Sequence, residues 1–156
     1  MKSFEIDVVG ITATTSMIPD AYKTARMAKE MNENAKVILG GPHSTFLPEK
    51  TMEECKSIDF IVRGEGEYTF KELIDAIEKG KKPENINGLS FRGNKIQHNP
   101  PRELIKNVDE LPIPSYDLLP MDRYKSDSIK YGTIMTSRGC PFNCIFFSSS
   151  TNLTLF

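Results

Sequence analysis

Three short apolar runs, each followed at once by small or glycine residues, set the pattern of this chain. Val37-Ile38-Leu39 is unbroken by polar residues and ends in Gly40-Gly41-Pro42-His43. Such a run reads as a strand covered on both faces, as in a parallel sheet. Asp7-Val8-Val9-Gly10-Ile11 predicts a second strand of this kind, leaving through the hydroxyl cluster Thr12-Ala13-Thr14-Thr15-Ser16. Asp59-Phe60-Ile61-Val62 predicts a third, leaving through Arg63-Gly64-Glu65-Gly66-Glu67.

Between the runs the apolar period changes to that of a helix. Ile18, Ala21, Tyr22, Ala25 and Ala28 share one face, and Pro19 suits a first turn, so a helix is expected from about 18 to 32. Asn32 and Asn34 end it, and the βαβ unit that results should cross over right-handed. A short helix is expected from Pro48 to about Lys56, with Met52 and Cys55 inward. Phe70, Leu73, Ile74 and Ile77 form the stripe of a further helix. Thr69 and Glu72 have capping-box spacing at its start, Tyr68 can staple against Leu73, and Gly80 marks its stop.

From Lys81-Lys82-Pro83 the pattern loosens. Leu89-Ser90-Phe91 and Lys95-Ile96-Gln97 flank Arg92-Gly93-Asn94 as a β-hairpin. Pro100-Pro101 and Leu111-Pro112-Ile113-Pro114 exclude helix, so 98–128 reads as an extended connector anchored by Leu118, Leu119 and Met121. Thr133-Ile134-Met135-Thr136 predicts a new strand, followed by the loop Ser137-Arg138-Gly139-Cys140-Pro141-Phe142-Asn143-Cys144. The division expected is 1–82, an α/β domain; 83–130, hairpin and linker; and 131–156, the start of another domain.

Composition narrows the function classes. The formal net charge of −1 over 156 residues gives no global field for nucleic acid or membrane. No apolar run has the length of a membrane span, and Met1 to Glu5 lacks a signal-peptide core, so the compartment expected is the cytoplasm. An odd set of cysteines, Cys55, Cys140 and Cys144, is a poor disulfide framework and fits a reducing compartment. Cys55 reads as a small buried apolar residue.

Parallel strands joined by crossovers end on the same side, where ligands of open α/β sheets bind. The Thr/Ser cluster offers hydroxyls there, the Gly-Gly turn offers backbone, and the third loop offers N–H groups beside two carboxylates. Glu65 and Glu67 oppose a bound anion, and GxxxxGK is absent, so a mostly neutral ligand suits this rim. The same two carboxylates also serve as dipole compensation at a helix start. His43 is a candidate ligand or base, whereas His98 reads as solvent-exposed. A thiolate-held cluster needs three or four sulfurs. Cys140 and Cys144 supply two, and the next place in a Cys-x3-Cys-x2-Cys loop holds Phe147. A two-sulfur metal site and a pair of free thiols both remain open.

Taken together, the motifs resemble the N-terminal half of cobalamin-dependent (B12-binding) radical S-adenosylmethionine proteins, the group of methyltransferases and magnesium-protoporphyrin-ester cyclases. The matching residues are Asp7 to Thr12, Val37 to His43, Val62 to Glu67, Asp109-Glu110-Leu111-Pro112-Ile113-Pro114, and Ser137 to Cys144. The resemblance implies a partial flavodoxin-like, Rossmann-like cobalamin-binding domain, then a linker and the first strand of a radical enzyme barrel. It implies that Thr12, Thr14, Gly40 and Gly41 hold the nucleotide tail of a corrinoid, with His43, Gly64 and Glu65 completing the candidate cofactor-binding set. It assigns a [4Fe–4S] cluster, with S-adenosylmethionine, to the loop whose metal ligands would be Cys140 and Cys144 alone.

Relative to the family pattern, strands before Asp7, the Asp-x-His-x-x-Gly loop, the third cluster cysteine and the rest of the barrel are missing. The expectation is a cobalamin-binding module that is not catalytically competent by itself. The strand at 7–12 would then have an open edge, available for self-association or for a complementary chain.

Overall fold

The computed structural model describes residues 6–126, 129, 130, 132 and 137–139. The chain divides into two compact units, Met1–Glu103 and Leu104–Phe156.

The first unit is built on a five-stranded sheet in the order β1-β2-β3-β4-β5. Its strands are β1 (Val8–Thr12), β2 (Lys36–Gly40), β3 (Phe60–Val62), β4 (Leu89–Arg92) and β5 (Ile96–His98). The first three run parallel, with Thr12 opposite Gly40 and Leu39 opposite Ile61. The hairpin β4–β5 then adds two antiparallel strands, Phe60 facing Phe91 and Phe91 facing Gln97. The hairpin was expected to follow the sheet with the linker; it is instead the sheet's continuation. Its apolar residues Leu89 and Phe91 are buried and need a neighbour strand to cover them. β1 is an edge strand, half-buried rather than fully covered, and Gly10 lies in the open.

Alternation along β2 explains why its apolar run is unbroken. Val37 and Leu39 join one core with Ala21, Tyr22, Ala25, Ala28, Met52, Cys55 and Ile61. Ile38 joins the other, with Val62, Leu73, Ala76, Ile86, Leu89 and Phe91. The first core is covered by α1 (Ile18–Met31) and α3 (Pro48–Glu54), the second by α4 (Glu67–Glu78). Alanines on the inner face of α1 let it lie close to the strands.

Three local expectations are corrected. The Pro42-His43 turn is the first turn of a short helix, α2 (Pro42–Phe46), for which Pro42 fixes a helical φ. The capping box at Thr69 does not form: α4 begins at Glu67, so Thr69 lies inside it and donates from Oγ1 to Asn87 O at 2.9 Å. Glu72 pairs with Arg102 instead of reaching back. Phe70, placed on the inner stripe of α4, is 40% exposed beside the bare Gly10 of the edge strand. The stop at Gly80 forms as expected. Its φ is +61, its N–H bonds to Ile77 O at 3.2 Å, and Lys81 N–H bonds to Ala76 O at 2.8 Å, the double closure of a Schellman end.

His98 is also not a free surface group. Its Nδ1 lies 2.8 Å from Ser90 Oγ, and its Nε2 contacts Glu49 on α3. Cys55 is buried, as expected, its thiol 4.0 Å from Tyr22 O.

The second unit contains 3₁₀ turns at Val108–Glu110, Tyr116–Leu118 and Met121–Arg123, and a short antiparallel pair, Lys125–Ser126 with Ile129–Lys130. The connector is thus punctuated by turns, the first capped by Asn107 Oδ1 accepting from Asp109 N–H at 3.1 Å. Leu118 and Leu119 are 80% and 47% exposed and do not anchor it. The strand expected at 133–136, and Cys140 and Cys144, lie outside the described residues.

Two part-buried polar contacts give predictions. Asp59 Oδ2 accepts from Val37 N–H at 2.8 Å and pairs with Lys29 Nζ at 2.8 Å, both side chains being largely covered. Asp59→Ala strands the Val37 donor and takes one partner from Lys29, whose Nζ still donates to Ala35 O at 2.7 Å, and should cost about 2 kcal/mol in urea unfolding. Lys29→Met leaves the Val37 bond in place and should cost less. Tyr22 Oη donates to Glu54 Oε2 at 3.0 Å, and burial first, this bond second, push the phenol up to about 12. Its stabilising effect is complete below the ordinary tyrosine value near pH 10 and is lost as pH rises through about 12. Thermal melts of Tyr22→Phe should therefore fall less steeply between those two values than those of the parent chain.

Candidate functional site

The three parallel strands release the chain on one side, and the loops that follow are hydrogen-bonded to one another. Ala13 N–H donates to Gly40 O at 3.2 Å, continuing the β1–β2 ladder past the last strand residue. His43 N–H donates back to Ala13 O at 3.4 Å. His43 Nδ1 lies 3.2 Å from Thr15 Oγ1, so ring and backbone both grip the first exit. The third exit is tied in by Gly64 N–H, which donates to Thr45 Oγ1 at 3.1 Å. Thr14 Oγ1 lies 3.1 Å from Ser16 Oγ at the open surface.

Glycine at 41 is demanded twice over. Its φ is +94, and a Cβ there would meet Ala13 O at 2.7 Å and Thr12 Oγ1 at 2.8 Å. The close approach expected at the Gly-Gly turn is real, but what approaches Gly41 is the chain's own first exit. Gly40 differs: a Cβ there would meet only Val62 O, at an ordinary 3.8 Å. At Gly64, φ +69, a Cβ would meet nothing within 4 Å. The rim therefore has backbone packed tightly at Gly41 and room over Gly40 and Gly64.

Thr12, Gly40, Gly41 and His43 are brought together, and Gly64 joins them through Thr45. Thr14 stands on the same loop with its hydroxyl turned to Ser16. Glu65 is half-buried between β3 and α4, and Glu67 occupies the first turn of α4, where a carboxylate favours the helix dipole. Thr15 knits the exits from inside the hydroxyl cluster already read as a source of hydroxyls, whereas Thr45, two residues past His43, had no role in the sequence reading. Arg63, also at the third exit, donates through Nη2 to Leu89 O at 3.2 Å and to Asn99 O. Burial lowers its pKa from the ordinary arginine value.

A sheet with its strand exits gathered and bared by glycine is the architecture of an α/β ligand-binding domain. The family model described as the B12 binding domain matches residues 1–74. An uncharacterized methyltransferase of Pyrococcus horikoshii is 62% identical over 151 residues, which is 96% of this chain and 33% of that protein. The anaerobic magnesium-protoporphyrin IX monomethyl ester cyclase of Rubrivivax gelatinosus is 33% identical, over 91% of this chain and 27% of that protein. In structure, the chain resembles the cobalamin-dependent S-adenosylmethionine radical enzyme OxsB with aqua-cobalamin bound, at a TM-score of 0.59 and 27% identity. That match covers 72% of this chain and 16% of OxsB. Residues 1–74 thus carry the B12-binding-domain match that the motifs predicted, and the relatives are named as methyltransferases, one of them a cobalamin-dependent radical SAM methyltransferase, and as magnesium-protoporphyrin ester cyclases. The chain spans about a third or less of the length of the methyltransferase and the cyclase that it matches.

The two glycines make opposite predictions. Gly41→Ala forces a side chain into the left-handed region and against Ala13, and should destabilise the fold by about 2 kcal/mol or more in urea unfolding. Gly40→Val meets no such obstacle at Cβ and should leave the unfolding midpoint close to that of the parent.

Proposed function

We propose that the chain is the corrinoid-holding module of a radical S-adenosylmethionine system, with cobalamin seated against the rim of strand exits. The observation that carries this reading is the room over Gly40 and Gly64, beside hydroxyls and amides that are already fixed in place. Thr12 and Thr14 offer hydroxyls to the nucleotide tail, and Gly40 and Gly41 offer backbone that a bulky group can lie against. His43, Gly64 and Glu65 border the same space. Bound cobalamin would supply a redox-active cobalt centre; the chain's own residues bind and orient it. The acidic third exit favours a largely neutral contact surface over an isolated phosphate.

Titration with hydroxocobalamin, followed by visible absorbance, tests this directly. Saturable spectral change is expected. Gly40→Val should keep the fold yet weaken binding about ten-fold or more, because its methyls occupy the ligand's space. A parent chain that leaves the spectrum unchanged would sink the proposal.

The same reading holds that radical chemistry is beyond this chain alone. Cys140 and Cys144 are two thiolates where a [4Fe–4S] cluster needs three or four, and Phe147 has no ligating atom. Anaerobic reconstitution with iron and sulfide should yield no stable cluster absorbance. A robust cluster spectrum would favour the second reading, an enzyme half completed by another chain.

A further inference from the structure

The two edges of the sheet differ in how they are defended. β5 is three residues long, and Pro100 and Pro101 follow it closely. Its His98 is drawn back to Glu49 on α3. Short edges, prolines and charged groups deter a further strand. β1, at the other edge, has neither proline nor charge among Val8, Val9, Gly10, Ile11 and Thr12.

Hydrogen bonding shows which of its backbone groups are free. Asp7 O accepts from Lys36 N–H at 2.8 Å, and Ala13 N–H donates to Gly40 O at 3.2 Å. In a parallel ladder alternate residues turn both groups to the neighbour, so Asp7, Val9, Ile11 and Ala13 face β2. Val8, Gly10 and Thr12 therefore turn N–H and C=O outward, where no strand among the described residues meets them. The free row begins at Val8, because Asn32 Nδ2 donates to Ile6 O at 2.9 Å.

Both layers beside this edge are apolar. Tyr22 and Lys29 of α1 reach Glu54 and Asp59, toward α3 and β3. At about 100° per residue, Thr24, Met27 and Met31 lie on the opposite flank of α1, toward the open edge. Both methionines are exposed. On the other layer, the exposed Phe70 of α4 lies beside Gly10, where a Cβ would be 3.9 Å from the ring.

We propose that a second copy of this chain covers the edge, by antiparallel pairing of β1 with β1 about a two-fold axis at Gly10. The free groups fix this register. Antiparallel residues that exchange both bonds must each face outward, so Gly10 meets the partner's Gly10 and Val8 meets the partner's Thr12. Any other centre leaves part of the row unpaired. The strand also suits itself in this register. No like charges oppose each other, and Asp7 comes to Ala13, between the hydroxyls of Thr12 and Thr14. Val9 pairs with Ile11 on the α1 layer. On the α4 layer the two glycines leave room for both Phe70 rings. The contact closes on itself, so assembly stops at the dimer. The strand exits of the two copies then lie at opposite poles.

The full chain is tested first without any variant. Sedimentation at micromolar concentration should give twice the 17.6 kDa chain mass. Amide hydrogen exchange should find Val8, Gly10 and Thr12 protected along with Val9 and Ile11. Gly10→Lys sets two ammoniums opposite each other and should weaken the dimer at least about ten-fold. In that variant the Val8 and Thr12 amides should exchange freely, while Val9 and Ile11, held by β2, stay protected. Gly10→Glu should behave likewise, and the two variants mixed should recover the dimer. Urea unfolding checks the fold of each. A monomeric parent, an open-ended assembly, or a dimer whose Val8, Gly10 and Thr12 amides exchange freely would overturn the proposal. So would an undiminished dimer of folded Gly10→Lys, or edge amides protected only when a different polypeptide is added. Mass and exchange pattern of the parent decide the matter even where a substitution fails to fold.

Discussion

The parallel pairing of β1 with β2, carried one residue beyond the strands, is the constraint on which the site depends. Thr12 faces Gly40, and the next bond, from Ala13 to Gly40 O, brings two loops to van der Waals distance. Only a residue without a Cβ can then stand at 41. The register is specified because a slip by one residue would turn Val9 and Ile11 away from the core they pack against. Core packing thus decides where the exits lie, and the exits decide where a ligand can rest.

Much of this was legible in the chain. Unbroken apolar runs gave β2 and β3, helical spacing gave α1 and the Gly80 stop, and the parallel order followed from the crossovers. What escaped was set by tertiary partners. Thr69 and Glu72 have the spacing of a cap, yet Asn87 and Arg102 compete for them more effectively. His98 looked solvent-exposed because Ser90 and Glu49, which meet it, belong to other elements, Glu49 far away in sequence. Leu118 looked like an anchor because large apolar residues usually are, but its own turn leaves it outward.

The candidate site was legible as a set of motifs and not as a geometry. Hydroxyl cluster, Gly-Gly and Gly-Glu-Gly-Glu each named a strand exit. The motifs did not distinguish Gly41, which serves the fold, from Gly40, which leaves space. Nor did they show that His43 is buried, with its ring held by Thr15. Such distinctions depend on atoms from three separate loops. They also explain how motif resemblance can identify a family while leaving the division of labour among its residues undetermined.

The Lys29–Asp59–Val37 contact has a wider meaning. It clamps the strands where they begin, while the ligand rim lies where they finish. The charged clamp thus sits at one pole of the sheet and the candidate chemistry at the other. Apart from Gly41, the loops at the chemical pole can exchange side chains without loosening the opposite pole, so a single scaffold of this kind is free to diversify in what it carries.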